Sequence, residues 1–358
     1  MNFWKQLPKP FFVVAPMADV TDAAFRRIIA KYGRPDVMWT EFVAADGLVR
    51  ATEEGKKKLM ADLIYTEEER PVVAQLFTSN PEHMEYAANL CLKLGFDGVD
   101  INMGCPDRSI EKQGCGSAMI KTPEVAREII RAAKRGARSD EGGIPVSVKT
   151  RIGYNKDEID IWIPVVLSEQ PAALTIHART RKEMSKAPAL WERVARVVAL
   201  RDELAPNTRI IGNGDVLSMD DARQKVAETG ADGAMIGRAL FGNPWFFHPT
   251  KRLPHRLNAL PTSGVDREKL ISHEVGVEGI EYISLEERLL VLIEHTKLFE
   301  ELLPHKNFAV MKKHYKAYVN GFPGAAGFRA ELMNQNSAEE IEAVVHAFLA
   351  NRNENAVD

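Results

Sequence analysis

Residues 11–247 predict an α/β fold, a (β/α)8 TIM barrel, and the residues beyond it predict a small C-terminal all-α helical bundle. Three observations carry this. Short β-rich runs alternate with longer segments of helical periodicity, the pattern of parallel strands joined by crossover helices. There are eight such runs, apolar on both sides, as strands covered on both faces require. No G-x-G-x-x-G or P-loop follows the first run, which counts against the runner-up, an open doubly wound sheet. The chain has 358 residues, 45% of them hydrophobic, enough for a barrel of roughly 250 residues and an appendage.

The strand candidates are "PFFVVAP" (10–16), "VMWTEFVA" (37–44), "PVVAQLF" (71–77), "GVDINMG" (98–104), "PVSVKTRIG" (145–153), "AALTIHART" (172–180), "TRIIGNGDV" (208–216) and "GAMIGRALFG" (233–242). Between them lie helices with recognisable ends. "TDAAFRRIIAKYG" has Thr21 as its expected N-cap and Gly33 as its stop. "NPEHMEYAANLCLKLG" opens with Asn80 as cap and Pro81 at the first helical position. "TPEVAREIIRAAKRGA" and "SMDDARQKVAETG" repeat that grammar. The expected domains are a catalytic barrel over 1–250, a linker or insertion over 251–284 and a helical domain over 285–358. Within the linker, "SHEVGVEGIEYIS" (272–284) reads as extra sequence, and the terminal "NRNENAVD" is expected to fray.

Composition removes several function classes. A net charge of −3 gives no global nucleic-acid signature, so any RNA contact must rest on local basic patches. The three cysteines, Cys91, Cys105 and Cys115, are odd in number and form no C-x-x-C, which argues against a disulfide framework and against a metal site. Cys91 lies in a helical apolar pattern and is expected in the core. The N-terminal apolar run is far too short to span a membrane. A cytoplasmic monomer without metal is the expectation.

Barrel enzymes place their sites at the C-terminal ends of the strands. Those ends carry Pro16 and Met17, then Glu41, Gln75, Asn102 with Cys105, Lys149 with Arg151, His177 with Arg179, Asn213-Gly214-Asp215, and Gly237-Arg238. Singly, each has a plain structural reading; the joint pattern does not. Lys149 is the hardest to dismiss, because an inward cation needs an anion or a functional reason. Glycines in "IGNGD" and "MIGRALFG", with Arg238, suit a phosphate site after strands seven and eight. Gln75, Lys149 and Asn213 could hydrogen-bond a polar ring edge. FMN and pyridoxal phosphate both fit that description. Cys105 is open to four readings here: core thiol, metal ligand, nucleophile or proton donor.

Six motifs in order, "APMADVTDAAFRR" (15–27), "DINMGCP" (100–106), "VKTRIG" (148–153), "IHARTR" (176–181), "IGNGDV" (211–216) and "MIGRALFGNPWFF" (235–247), closely resemble those of the tRNA-dihydrouridine synthases. The C-terminal "FAVMKKHYKAYVNGFPGAAGFRAELM" (308–333) looks like the helical domain of bacterial members. The resemblance implies an FMN enzyme that reduces the C5=C6 bond of selected uridines in tRNA, with NADPH as the usual electron source. It implies that Pro16, Met17 and Ala18 line the flavin and that Gln75 and Lys149 bond its ring. His177 would lie near the flavin, and Asn213, Gly214, Asp215, Gly237 and Arg238 would hold its ribityl chain and phosphate. Cys105 would be catalytic and Asn102 close to the uracil. Three positions depart from the family's common residues: Asp19, Ala178 and Cys115.

An ordinary thiol has a pKa around 8.5 and is mostly protonated near neutral pH, so Cys105 is expected to act as an acid toward C5 rather than as a nucleophile. The target base must leave its stack to reach a barrel pocket. Two basic clusters are candidate RNA contacts: 178–186, with Arg179, Arg181, Lys182 and Lys186 and, on the preceding strand, Arg151; and the acid-free 305–321, with Lys306, Lys312, Lys313 and Lys316. Two other readings stand beside this one. One is an FMN barrel acting on a small pyrimidine, similar to dihydroorotate dehydrogenase. The other is a tRNA-binding protein whose flavin is structural.

Overall fold

Parallel pairing of eight short strands organises the first two thirds of the chain. The structure is a computed structural model that describes residues 2–140, 142–254 and 279–354. The strands are β1 (Phe11–Val14), β2 (Met38–Ala44), β3 (Val72–Phe77), β4 (Gly98–Met103), β5 (Val146–Arg151), β6 (Ala173–His177), β7 (Arg209–Asn213) and β8 (Gly233–Ile236). Their order in the sheet is β1-β8-β7-β6-β5-β4-β3-β2. Val13 bridges Val37, immediately before β2, and the Asp36 amide donates to the Phe12 carbonyl at 2.9 Å, so the two ends of the sheet meet and the barrel closes. All eight expected strands are present. Six of them stop earlier than the expected runs; β2 and β3 end where their runs do, at Ala44 and Phe77. After Ile236 the chain turns through a 3-10 helix, Arg238–Leu240, so "RALFG" is not strand.

The helices follow the sequence's capping grammar with two changes, one of which is that Thr122, at the start of Pro123–Gly136, makes no side-chain cap bond. Asn80 caps Pro81–Lys93 through its side chain, and Ser218 caps Met219–Thr229, which ends on the left-handed Gly230. The first helix is Ala23–Tyr32, and its cap is Asp22, whose Oδ1 accepts from the Phe25 amide at 3.0 Å. Thr21, the expected cap, is used elsewhere: its Oγ1 accepts from the Met17 amide at 2.8 Å and shapes the loop after β1. Cys91 is wholly buried on Pro81–Lys93.

Alternation along the strands stacks the barrel interior in layers. The lowest layer is apolar. Trp4, on the 3-10 helix Phe3–Lys5, clusters with Phe11, Val13, Trp39, Val73, Ala173, Ile211 and Met235 and fills the N-terminal end. Its ring lies 5.7 Å from that of Trp39 and 5.8 Å from that of Phe11. At the same end the buried Asp232 carboxylate is met by Lys9, Arg201 and Arg209. Arg26 and Glu69 form a fully buried ion pair at 2.6 Å. Above the apolar floor the interior turns polar, and there the functional residues begin.

Contacts divide the chain into two compact units: 1–26 with 35–239, and 27–34 with 240–358. The described part of the second unit contains helices Leu285–Leu302, Lys312–Tyr318, Ala325–Asn334 and Ala338–Glu354. Leu289, Leu292, Phe299, Tyr315, Tyr318, Phe328 and Ile341 are buried in it. His295 and His314 are also wholly buried, their rings 4.7 Å apart. The last helix continues through Glu354, so Asn351–Glu354 are helical rather than frayed. Residues 255–278, which hold most of the expected linker and the first part of the 272–284 stretch, and residues 355–358 lie outside the described residues. No helix among the described residues is long and apolar enough to cross a membrane.

Candidate active site

Register brings the sequence-selected residues of neighbouring strands side by side. Gln75 on β3 is opposite Asp100 on β4, and Asp100 is opposite Ser147 on β5. One step higher, Asn102 is opposite Lys149. Arg151 is opposite His177, and His177 is opposite Asn213 on β7. These pairs form a polar storey immediately above the apolar floor.

Each side chain in that storey is held by specific bonds. Lys149 Nζ donates to Asn213 Oδ1 at 3.2 Å, and Asn213 Nδ2 donates to the Met235 carbonyl at 2.9 Å, which fixes the amide's orientation. Burial, followed by the charge of Arg151, pushes the Lys149 ammonium down to about 8. Gln75 is fully buried; its Nε2 donates to Asp100 Oδ2 at 2.6 Å, while its Oε1 has no hydrogen-bond partner. The Arg179 guanidinium donates to His177 Nε2 at 3.1 Å. A guanidinium only donates, so His177 carries its proton on Nδ1 and is neutral. Burial, with Arg151, Lys149, Arg179 and Arg238 around it, holds its pKa well below the usual 6.5.

Asp215 organises the rim after β7. It accepts from Arg179 and from Arg238, and from the Ala189 amide at 2.9 Å. It does so from a left-handed backbone (φ 48°) that follows Gly214 at φ 126°. A Cβ on Gly214 would lie 2.7 Å from the Ala189 Cβ and 3.3 Å from the His177 ring, so only glycine fits there. Gly237 follows the neighbouring strand β8, with the Met17 sulfur 3.3 Å from where its Cβ would stand. Pro16 and Met17 are half-buried beside it, and Ala18 is exposed.

Cys105 lies in the loop after β4, half-buried against Phe77, Ile110 and Cys115. Asn102 Oδ1 accepts from both the Gly104 amide (3.1 Å) and the Cys105 amide (3.0 Å). On the other side, the Cys105 carbonyl accepts from Ser117 N and Ser117 Oγ, each at 2.9 Å. Asn102 is thus the anchor of the thiol loop. Burial raises the Cys105 thiol above its ordinary pKa, and Arg151 and Lys149 only partly offset this, so it is protonated at neutral pH.

The arginines chosen from sequence have protein partners. Arg151 donates to the carbonyls of Gly104 (2.7 Å), Thr180 and Met184 (3.1 Å each), lacing the β4 and β6 loops together. Arg179 is 2% exposed and spends its bonds on Ala187, His177 and Asp215. Arg181 forks onto Glu111. By contrast Lys312 and Lys313 are half-buried and Lys316 is exposed, with no ion pair among the described residues. Sequence reasoning passed over Asp100, Ser147 and Glu111. Alternation could have found Asp100, which shares a strand face with Asn102. The same alternation places Ser147 on the face of Lys149 and Arg151, whereas nothing local announces Glu111, whose partner Arg181 is distant in the chain.

The family model described as Dihydrouridine synthase (Dus) matches residues 13–353. The chain belongs to the dihydrouridine synthase family. A curated protein of Staphylococcus aureus (strain COL), named probable tRNA-dihydrouridine synthase, is 38% identical over 356 residues, covering 99% of this chain and 97% of its own length. The probable tRNA-dihydrouridine synthase 2 of Bacillus subtilis (strain 168) is 38% identical over 348 residues, covering 97% and 96%. Among solved structures, histamine dehydrogenase from Rhizobium sp. 4-9 aligns with a TM-score of 0.47 and 12% identity over 66% of this chain and 44% of its own. In this dihydrouridine synthase every residue discussed above, from Pro16 to Lys316, lies inside the span that the family model matches.

Proposed function

We propose that this chain reduces the C5=C6 bond of selected uridines in tRNA, with FMN held in the barrel mouth, NADPH as electron source and Cys105 as the proton donor. The observation that carries the reading is a protonated, half-buried thiol sharing one barrel mouth with a polar ring-binding storey and a cationic rim. The donor set fits FMN on three counts. Gln75 Oε1 is a buried acceptor awaiting a donor. Lys149 supplies a cation one step higher. The loops after β7 and β8 carry Gly214 and Gly237 together with Arg238, and Arg179 meets them at Asp215, the place where barrels hold a phosphate.

Bound FMN, once reduced, supplies a hydride equivalent to C6 of the uracil. The chain's own residues do the rest. Cys105, held by Asn102 and Ser117, gives its proton to C5. Lys149 and the Nδ1–H of His177 stabilise the negative charge that develops on the uracil oxygen and the ring system. Pro16, Met17 and Ala18 form the wall beside the ring. Asn213, Gly214, Asp215, Gly237 and Arg238 hold the ribityl-phosphate arm, with Asp215 keeping the two guanidiniums of Arg179 and Arg238 in place. Arg151 and Arg181 brace the loops that a uridine must pass. Lys312, Lys313 and Lys316 on the helical unit contact the RNA backbone. The enzyme works as a cytoplasmic monomer without metal.

The test uses purified chain loaded with FMN. Incubation with NADPH and tRNA lacking dihydrouridine is expected to yield dihydrouridine in the tRNA, and no reduction of free pyrimidines. Turnover of free pyrimidines with no product in tRNA would overturn the reading in favour of a small-molecule oxidoreductase.

A further inference from the structure

Asp100 has no part in the roles assigned above, yet it is the most deeply set carboxylate of the polar storey. It is wholly buried on β4 between Gln75 and Ser147. Gln75 Nε2 donates to its Oδ2 and Ser147 Oγ donates to its Oδ1, both at 2.6 Å. An ionised carboxylate accepts and never donates. Only the NH2 end of the Gln75 amide can therefore face it, and the amide cannot flip. Its Oε1 is turned away from Asp100, sealed from solvent and without a partner. A buried unpaired acceptor is costly unless a ligand completes it.

We propose that Asp100 is a positioning residue that fixes Gln75 as an acceptor, so that the site selects a ring presenting an N–H at that edge. This rests on the reading that FMN occupies the barrel mouth. The oxidised isoalloxazine has a single ring N–H, at N3, between two carbonyls. A locked acceptor beside a lysine ammonium complements such an edge. An asparagine at position 100 would lift the lock, because its amide can donate to Gln75 Oε1 as readily as accept from Nε2.

The experiment measures dissociation constants of FMN and of 3-methyl-FMN, in which a methyl group on N3 removes the ring's one N–H donor while its added bulk weighs on wild type and variant alike. The wild type is expected to prefer FMN by about 10- to 100-fold, the consequence of leaving a buried acceptor unpaired. In Asp100→Asn the preference is expected to shrink by about 10-fold or more relative to wild type, on the same reasoning. A purely structural role would weaken both ligands equally and leave the ratio unchanged; that result overturns the proposal. A wild type that binds both ligands equally also overturns it while leaving the flavin reading intact. A wild type that binds neither defeats the flavin reading itself and the proposal with it. Should Asp100→Asn fail to fold, the wild-type ratio is followed from pH 7.5 to 5. Burial raises Asp100 to about 6, and the groups facing it are Gln75 from β3, Ser147 and Lys149 from β5 and the Trp39 indole from β2. Lys149, at about 8, only gains charge as pH falls and is cationic throughout the window around pH 6, and the phosphate titration cancels in the ratio. Protonated Asp100 can donate, so the preference is expected to fall below pH 6, and a flat ratio overturns the proposal.

Discussion

Replacing Asn102 by leucine removes the acceptor that holds the thiol loop while keeping the same branched heavy-atom skeleton. In the structure Asn102 Oδ1 receives the amides of Gly104 and Cys105, at 3.1 and 3.0 Å, and Asn102 itself is 5% exposed. The Gly104 amide is buried and the Cys105 amide partly so. Each buried donor left unpaired costs about 1–3 kcal/mol. With some relaxation the pair comes to about 2–4 kcal/mol, a roughly 30- to 700-fold rise in the population of the opened loop. Hydrogen exchange at the Gly104 and Cys105 amides reads that population directly. Alkylation of Cys105 is expected to quicken in parallel, because Cys91 and Cys115 are buried and contribute little signal. Asn102→Asp keeps both acceptors and is expected to retain slow exchange. Exchange in Asn102→Leu within about 3-fold of wild type would refute the anchoring argument, since even the lower bound of the penalty exceeds that.

The remaining expectations concern pH and salt. Burial raises the Cys105 thiol and lowers Lys149 to about 8, so single-turnover tRNA reduction should stay level through neutral pH and fall in the alkaline range as Lys149 and then the thiol lose their protons; a rate that rises on deprotonation would mean a thiolate nucleophile instead. His295, pushed down to about 3 from 6.5 by burial, stays neutral in the folded helical unit while the unfolded chain takes up a proton. Stability of that unit should therefore decline as pH falls from 6.5 toward 3, with His314 acting in the same direction; denaturation midpoints that are flat across this window would contradict it. Converting Lys312, Lys313 and Lys316 to glutamine should weaken tRNA binding and reduce the slope of log K against log salt by up to about 3. An unchanged slope would place the RNA contacts elsewhere.

Strand and helix identities were legible because they are local. Asn80-Pro81 and Ser218…Gly230 state where helices begin and end in their own neighbourhood. Thr21 misled because two adjacent residues, Thr21 and Asp22, can both cap, and the choice depends on the Met17 loop that Thr21 binds. Position at strand ends was enough to assemble Gln75, Lys149, His177 and Asn213, since register is fixed once the barrel closes. What charge alone cannot reveal is its partner. Arg179 and Arg181 read as a free basic patch, yet the chain supplies Asp215 and Glu111 from 36 and 70 residues away. Alternation places Asp100 on the face of Asn102, but its partners are out of local view. Its meaning lies in the two donors that β3 and β5 bring to it.

The central claim is that Cys105 delivers the proton to C5. Its most direct test is single-turnover reduction of tRNA by FMN-loaded Cys105→Ala. FMN affinity should be unchanged and dihydrouridine formation should slow by about 10²- to 10⁴-fold, the usual worth of a positioned acid. Reduction at the wild-type rate by a flavin-loaded Cys105→Ala protein would contradict the account.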